Sequence, residues 1–246
     1  MGELIQENIG VTQAKNITIV TGGTRGIGSV ITEAFKKGGK RVLTVSRTKI
    51  ESKEHISVDL CENDSVKNIK NQIGSYGIEN LVLCHRYRGQ SRSDEMSLMV
   101  DKTIDLIEEL QHQFMKPSSI VVVGSRAASQ VFSDQPIGYH CSRGALDSLV
   151  RYLAVNLGPR QIRCNSVEPG TVYKPENQDY YLKNNAVVKM ISDITPLRRM
   201  GSAQEVADTV MYLCSTSASF LTGHSLCIDG GLHLVSQDSI ARSYKC

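Results

Sequence analysis

Short apolar runs alternate with longer amphipathic stretches along the 246 residues of this chain. The runs are rich in Val and Ile, which favours buried strands, and the stretches between them carry apolar residues at helical spacing. This alternation predicts one α/β domain of the doubly wound type, in which helices cover both faces of a parallel sheet. The predicted strands are "NITIV", "RVLTVS", "HISVDL", "NLVLC", "SIVVVGS", "IRCNSVEP" and "SLCID", and the predicted helices span 28–37, 65–74, 96–115, 139–157 and 203–215.

Composition excludes several classes of protein. A net charge of +3 is too small to indicate nucleic acid by itself, because nucleic-acid binders usually gather a much stronger basic face. Seven scattered cysteines without a CxxC pair argue against a disulfide framework or a zinc site and indicate a reducing compartment. No apolar run approaches the roughly 18 residues of a membrane span, and "MGELIQENIG" does not resemble a signal peptide. We therefore expect a cytoplasmic protein with no metal, nucleic-acid or membrane partner.

The domain organisation is simple. Residues 1–15 precede the first predicted strand as an N-terminal extension, and residues 16–246 form the single predicted domain. The stretch 171–200 shows no clear element, and a segment of this length on a compact domain is more often a functional lid than a plain surface loop. As a lid, this stretch would bring Tyr173, Tyr180 and Tyr181 to the substrate or cofactor.

A glycine-rich turn, "TGGTRGIG", follows the first strand and opens the first helix. Glycines permit a tight turn and close backbone approach, and the helix N-terminus offers free N–H groups to a pyrophosphate. A glycine motif alone is weak evidence, but its place between strand and helix favours dinucleotide binding over a simple turn. The candidate cofactor contacts in the turn are Gly22, Thr24, Arg25, Gly26, Ile27 and Gly28.

The end of the second strand bears on the choice of cofactor. Proteins that bind NAD usually carry an acidic residue there, which accepts a hydrogen bond from the ribose, whereas this chain has Ser46 and Arg47. Together with Arg25, the second arginine can hold a 2′-phosphate, which predicts NADP(H); the alternative is two solvated surface arginines. Asp59, followed by Leu60, is a candidate acceptor for the adenine amino group or, equally, a cap.

Several motifs in order resemble the classical short-chain dehydrogenase/reductase family. They are the glycine turn, "VDL", a Ser125-to-Tyr139 pairing, "EPG" and "SASFLTGHSLCIDGG", and the likeness runs from about residue 16 to 234. The closing segment is most similar to members related to 3-oxoacyl thioester reductases. The resemblance implies a Rossmann-type fold with a parallel sheet of about seven strands, an NAD(P)(H) cofactor, a small-molecule substrate and a homotetramer or homodimer.

The resemblance also implies roles for individual residues. Ser125 would orient the substrate carbonyl, Tyr139 would transfer the proton, and backbone groups near Pro169, Gly170 and Val172 would meet the nicotinamide amide. The family's lysine, four residues after the tyrosine on the same helix face, is replaced here by Arg143, in "GYHCSRGALDSL".

Arginine replaces lysine in charge more than in geometry. One cation about 4 Å away stabilises a phenolate by about 4 kcal/mol at an effective dielectric constant of about 20. A stabilisation of this size corresponds to lowering the pKa of a phenol by about 3 units. Arginine does not readily release a proton, however, and its planar fork differs from a compact ammonium group. The proton relay is therefore expected to be more impaired than the tyrosine.

Two other family features are missing. The asparagine that completes the relay has no counterpart, because counting back from Ser125 places Ser97 there, and "CHRY", residues 84–87, replaces Asn-Asn-Ala-Gly. Arg86 and Arg88 follow the fourth strand, where open α/β sheets bind ligands, so they are candidates to recognise a substrate phosphate or carboxylate. The alternative is a solvated edge.

Three functions remain open at this level. The first is an NADP(H)-dependent oxidoreductase that interconverts a ketone and a secondary alcohol through Ser125 and Tyr139. The second is a family member without redox turnover that binds NADP(H) or a metabolite. The third is a repurposed isomerase or lyase that uses Tyr139 as an acid or base. The retained Ser125 and Tyr139 favour the first, and the lost Asn and Lys favour the others.

Overall fold

Parallel β-strands form the centre of the fold. The computed structural model describes residues 16–243, so the predicted extension, residues 1–15, lies outside the described residues. In chain order the strands are β1 Asn16–Thr21, β2 Val42–Ser46, β3 His55–Ser57, β4 Gly77–Leu83, β5 Phe114–Val123, β6 Ile162–Pro169, β7 Val172–Tyr173, β8 Gly201–Ser202 and β9 Ser225–Ile228. Seven of them form one sheet in the order β3-β2-β1-β4-β5-β6-β9, and β7 pairs with β8.

Helices cover both faces of the sheet. In chain order they are α1 Gly26–Lys37, α2 Ser65–Ile73, α3 Arg92–Met96, α4 Lys102–Leu110, α5 Ile137–Leu157, α6 Gln178–Lys183, α7 Asn185–Ile194, α8 Ala203–Cys214 and α9 Gln237–Ser243. A π-helical turn, Ser97–Asp101, joins α3 to α4. All sheet pairings are parallel, which confirms the predicted doubly wound α/β fold.

Two apolar layers hold the helices against the sheet. Ile19 belongs to one layer and Val20 to the other, because successive side chains of a strand point to opposite faces. Both side chains are fully buried, and a buried Ile or Val side chain contributes about 1.5–3 kcal/mol to folding. Strands buried on both faces read as continuous apolar runs, and this is why the sequence pattern predicts them well.

The order of the strands determines where a ligand can bind. Strand β1 lies between β2 and β4, so the sheet extends from β1 in one direction through β2 and β3 and in the other through β4, β5, β6 and β9. Open α/β sheets bind ligands at the carboxyl ends of the strands beside such a switch point. The ends of β1 and β4, at Thr21 and Leu83, are therefore the expected position of a site.

The prediction that 171–200 lacks a clear element is wrong. The segment contains β7, α6 and α7. Helix α7 half-buries Val187, Val188 and Ile191 on one face and exposes polar residues on the other, an amphipathic spacing that the sequence contains and the prediction overlooked. Whether the segment moves as a lid stays a prediction. No helix within residues 16–243 is long and apolar enough to cross a membrane.

Candidate active site

The glycine turn between β1 and α1 is built so closely that it needs glycine. A Cβ atom placed on Gly22 would lie 2.6 Å from the carbonyl oxygen of Cys84, and one placed on Gly28 would collide with the carbonyl oxygen of Gly22. Gly22 and Gly26 have positive φ values of 65° and 56°, which side chains rarely adopt. The turn therefore provides a close-fitting cradle of backbone at the N-terminus of α1.

Glu176 covers this turn. A Cβ atom placed on Gly26 would lie 3.0 and 3.3 Å from the two carboxylate oxygens of Glu176. The N-terminus of a helix attracts negative charge through its free N–H groups and its dipole. The chain thus brings one of its own anions to the turn that the sequence assigns to a pyrophosphate.

Ser125 and Tyr139 are placed by neighbouring elements. Ser125 follows β5, and its hydroxyl oxygen accepts a hydrogen bond from the backbone N–H of Ala127 at 3.2 Å. That bond orients the hydroxyl and leaves its proton available to a ligand. Tyr139 lies in the first turn of α5, where its side chain is half-buried.

Arg143 lies against Tyr139, as the four-residue spacing predicts, but it also has an acidic partner. Its guanidinium carbon is 4.6 Å from the centre of the Tyr139 ring, and its NH2 nitrogen is 3.7 Å from a carboxylate oxygen of Glu95. Both Arg143 and Glu95 are buried, and the hydroxyl of Ser142 donates to the same carboxylate at 2.8 Å. Burial lowers the pKa of Arg143, while Tyr139 and Glu95 oppose that shift. Glu95 therefore offsets much of the positive charge that Arg143 brings to the phenol.

Two further cations approach Tyr139 from other elements. The guanidinium carbon of Arg86, just beyond β4, lies 5.4 Å from the centre of the ring. Lys174, just beyond β7, is close enough for its charge to interact with both Arg86 and Tyr139. Burial and the charge of Arg86 lower the pKa of Lys174. The phenol thus has a guanidinium in contact with its ring from α5, a second from beyond β4, and an ammonium group nearby.

His85 connects three elements beneath the site. One ring nitrogen lies 2.8 Å from the hydroxyl of Thr21 at the end of β1, and the other lies 3.2 Å from the hydroxyl of Thr103 in α4. Desolvation and the neighbouring Arg143 charge lower the pKa of His85 to about 4. A neutral imidazole donates from one nitrogen and accepts at the other, which both hydroxyls can satisfy. With this lowered pKa, His85 is neutral at neutral pH and links β1 to α4 through the two hydroxyls.

Comparison with known proteins assigns the family. The family model described as enoyl-(acyl carrier protein) reductase matches residues 85–233, more than half of the chain. The chain belongs to the short-chain dehydrogenase/reductase family. Members of this family are oxidoreductases that bind a nicotinamide dinucleotide, act on small molecules and are typically oligomeric.

Relatives of known kind cover nearly the whole chain. A tropinone reductase homolog of Arabidopsis thaliana is 28% identical over 240 residues, which cover 87% of this chain and 89% of the relative. An L-xylulose reductase of Bos taurus is also 28% identical, over 87% and 94% of the two chains. The structure of a short chain dehydrogenase family protein from Francisella tularensis matches with a TM-score of 0.77 at 25% identity and covers 89% of this chain and 99% of that one.

Within this short-chain dehydrogenase/reductase fold, the predicted cofactor residues lie in two places: at the glycine turn with the end of β2, and after β6. Thr24 donates from its hydroxyl to Ser46 at 3.1 Å, so the glycine turn lies beside the end of β2. The guanidinium of Arg47 lies 3.8 Å from the carboxylate of Asp59, which also accepts from the N–H of Cys61 at 3.0 Å. Arg25 is exposed at the turn. The side chains of Leu60 and Val172 are buried in the core, so only the backbone groups of these two residues can contact a ligand.

The predicted nicotinamide contacts follow strand β6. Pro169 ends β6, and the N–H of Gly170 donates to the carbonyl of Ile228 at 2.9 Å.

The structure does not bring every predicted substrate residue to the tyrosine. Ser97 is exposed at the start of the π-helical turn, and within residues 16–243 its hydroxyl makes no hydrogen bond to another side chain. Tyr173 and Tyr180 instead pack edge-to-face on Tyr181, with ring centres 5.5 and 5.2 Å apart. Arg88 is exposed near Lys174.

Three residues of the site were missed from the sequence: Glu95, Lys174 and Glu176. Glu95 lies in "SDEMS", where nothing distinguishes it from a solvated helix residue. Lys174 follows "EPG" by four residues, and this closeness to the predicted nicotinamide contacts was the available signal. Glu176 had no signal, because its contact with Gly26 depends on how 171–200 folds over the turn.

Proposed function

We propose that the chain is an NADP(H)-dependent oxidoreductase that interconverts a ketone and a secondary alcohol at Tyr139, with Arg143 in place of the family's lysine. The observation that carries this proposal is the placement of the Tyr139 ring, with guanidinium groups 4.6 and 5.4 Å from its centre. Positive charge beside a phenol favours the phenolate that a proton donor becomes. The proposal also includes a homodimeric or homotetrameric assembly and a lid formed by residues 171–200.

The residues of the cradle fit a dinucleotide. A Cβ atom on Gly22 or Gly28 would collide with the chain's own carbonyl oxygens, so these glycines permit the tight turn that presents the N-terminus of α1 to a phosphate. The backbone of the glycine turn and Gly170 would hold the cofactor, with Ser46 and Arg47 toward its adenosine ribose. When bound, the nicotinamide supplies or accepts the hydride.

The chain's own residues would handle the carbonyl oxygen and its proton. The Ser125 hydroxyl, oriented by the Ala127 N–H, would donate a hydrogen bond to that oxygen. The Tyr139 hydroxyl would give its proton to the same oxygen as negative charge develops there. Arg86, Arg143 and Lys174 would stabilise the phenolate, although Glu95 offsets part of the Arg143 contribution.

NADP(H) is proposed over NAD(H) because of charge at the end of β2. Ser46 and Arg47 stand there without a carboxylate in the strand itself, and Arg25 is exposed nearby. Asp59 lies 3.8 Å from Arg47, but the arginine side chain is 64% exposed, and exposed ion pairs contribute only about 0–1 kcal/mol. Proteins with this fold have been solved with NADP, at 24% identity, and with NADH, at 21%, so the fold alone does not select the cofactor.

A second candidate is a family member without redox turnover, including an isomerase or lyase that uses Tyr139. The Glu95–Arg143 pair and the Glu176 contact on the glycine turn favour it, because each opposes a step of the redox function. Titration with NADPH and NADH, followed by turnover on a panel of ketones and acyl thioesters, separates the two. Turnover that disappears in Tyr139→Phe supports the first candidate. Tight NADPH binding without any turnover supports the second.

A further inference from the structure

The positive charges around Tyr139 are not equally neutralised. Arg143 has Glu95 within 3.7 Å. Arg86, Arg88 and Lys174 have no carboxylate within 4.0 Å among residues 16–243. The site therefore contains three cations without a direct anionic partner.

These cations act on one another. Arg86 and Arg88 both lower the pKa of Lys174, after the larger effect of its burial, while Glu176 and Tyr139 act in the opposite direction. Like charges held close together cost free energy; Arg86 and Arg88 are exposed and Lys174 is half-buried, so water screens part of that cost. Glu176 lies on the glycine turn instead of in an ion pair with Lys174. An anion held by Arg86 close to Lys174 would offset part of this repulsion.

The cations also have the right position for a substrate group. Arg86 lies at the end of β4, on the side of the sheet where open α/β folds bind ligands, and its guanidinium reaches the face of the Tyr139 ring. A guanidinium binds a carboxylate or phosphate through paired N–H donors about 2.7–2.9 Å from the oxygens. An anion on Arg86 would thus lie only a few bonds from a carbonyl held by Tyr139.

We propose that Arg86 and Lys174 form an anion subsite beside Tyr139, and that the substrate is a short ketone or alcohol with a carboxylate or phosphate group. This inference rests on the proposed function, because it assigns the reacting carbonyl to Tyr139. Arg88 is exposed, and its charge also acts on Lys174. The subsite favours oxo acids and phosphorylated ketones over neutral ketones.

Binding measured without turnover tests the subsite. The chain saturated with NADP⁺ is titrated calorimetrically with acetoacetate and its neutral methyl ester, and with dihydroxyacetone phosphate and dihydroxyacetone. We expect the anionic ligand of at least one pair to bind more than about tenfold tighter than its neutral partner, because a charge-assisted hydrogen bond contributes enough free energy for at least that ratio of affinities. The pair with the larger ratio identifies the anion as carboxylate or phosphate. Equal affinities within both pairs would overturn the proposal.

Variants assign the preference to the two cations. Arg86→Met and Lys174→Met each keep an unbranched side chain and are expected to remove most of the preference. Lys183→Met makes the same change at an exposed position of the same segment and is expected to preserve it. If the two variants weaken NADP⁺ binding and leave the anion preference unchanged, the cations serve the cofactor phosphates and the subsite is refuted.

Failure of the proposed function gives a different result. A chain that binds no NADP⁺ contradicts the cofactor assignment, and the same four ligands are then titrated without cofactor. A preference for the anionic ligands that depends on Arg86 would still support the subsite, and its absence would refute the subsite as well.

Discussion

Arg143 shows how one neighbour changes the meaning of a substitution. Its place one helical turn from Tyr139 is readable from the sequence, and the guanidinium does lie 4.6 Å from the ring. Glu95, on a different helix, lies 3.7 Å from the same guanidinium and offsets its charge. The sequence therefore predicted the contact between Arg143 and Tyr139. The net charge that acts on the phenol also depends on Glu95, which only the folded chain brings close.

Variants at position 143 should separate charge from shape. Arg143→Lys is expected to preserve or raise kcat/KM, because an ammonium group returns to the proton relay.

Tyr139→Phe should abolish turnover, a loss of about 10²–10⁴-fold or more, with NADPH affinity within a few-fold of the parent. Arg143→Met alone would leave Glu95 buried without its cation, so Arg143→Met/Glu95→Gln is the matched neutral variant and should lose activity. Absence of turnover in both the parent and Arg143→Lys, with NADPH still bound, would contradict the redox proposal.

Arg47 is the second residue whose charge can be tested against a proposed role, the binding of NADP(H). Arg47→Asp should weaken NADPH binding by more than about tenfold, because a charge-assisted phosphate contact contributes about 1.5–3 kcal/mol. NADH binding should change much less. Calorimetry with both cofactors measures the ratio, and Lys49→Asp, an exposed position nearby, controls for the change in overall charge. Equal losses of NADPH and NADH affinity, or a parent that prefers NADH, would count against NADP(H).

At the scale of elements, the segment 171–200 was the hardest part to predict. Helix α6 has only six residues, too few to show a period, whereas the apolar residues of α7 do recur at helical spacing and were overlooked in the sequence. The large helices α1, α5 and α8 bury whole faces and were predicted within a few residues of their ends. Short elements that fold over a site depend on tertiary contacts, such as that of Glu176 with the glycine turn.

The Glu176 contact makes a prediction for this segment. Glu176→Gln should tighten NADPH binding several-fold, because the carboxylate and a pyrophosphate favour the same N–H groups at the start of α1. Asp179→Asn removes an exposed carboxylate from the same segment and should leave the affinity unchanged. Hydrogen exchange across 171–200 should slow when NADPH binds. Unchanged affinity in Glu176→Gln, or unchanged exchange at saturating NADPH, would argue against a lid that responds to the cofactor.

At the scale of the whole molecule, a buried ion pair joins the site to the last strand. Arg126, directly after Ser125, pairs with Asp229, which follows β9, and both side chains are almost completely buried. Asp229 also accepts from the backbone N–H groups of Gly231 and His233 at 3.0 and 2.9 Å. The pair ties the turn that carries Ser125 to the C-terminal part of the chain.

Breaking this pair should destabilise the whole fold. Asp229→Asn removes the ion-pair partner of the buried Arg126 and leaves only the more distant charge of Glu168, so we expect it to lower the free energy of unfolding by about 3–5 kcal/mol. The double variant Arg126→Met/Asp229→Asn removes both charges, keeps the same residue at 229 as the single variant and should recover most of that loss. Arg199→Gln breaks the exposed pair with Glu205 and should cost less than about 1 kcal/mol. Urea denaturation measures all four proteins, and a double variant as unstable as Asp229→Asn would refute the argument.

His85 predicts how the stability of the molecule depends on pH. Its pKa in the folded chain is about 4, below the ordinary 6.5, so the unfolded chain binds the additional proton between these values. Stability from this group is therefore complete above about pH 6.5 and is lost as the pH falls toward about 4, by up to about 3 kcal/mol. His85→Gln keeps a donor and an acceptor for Thr21 and Thr103 but does not titrate. Urea denaturation at several pH values should show the parent losing stability relative to His85→Gln over that range, whereas the exposed His112→Gln should follow the parent. Parallel curves for the parent and His85→Gln would show that the histidine is not held neutral.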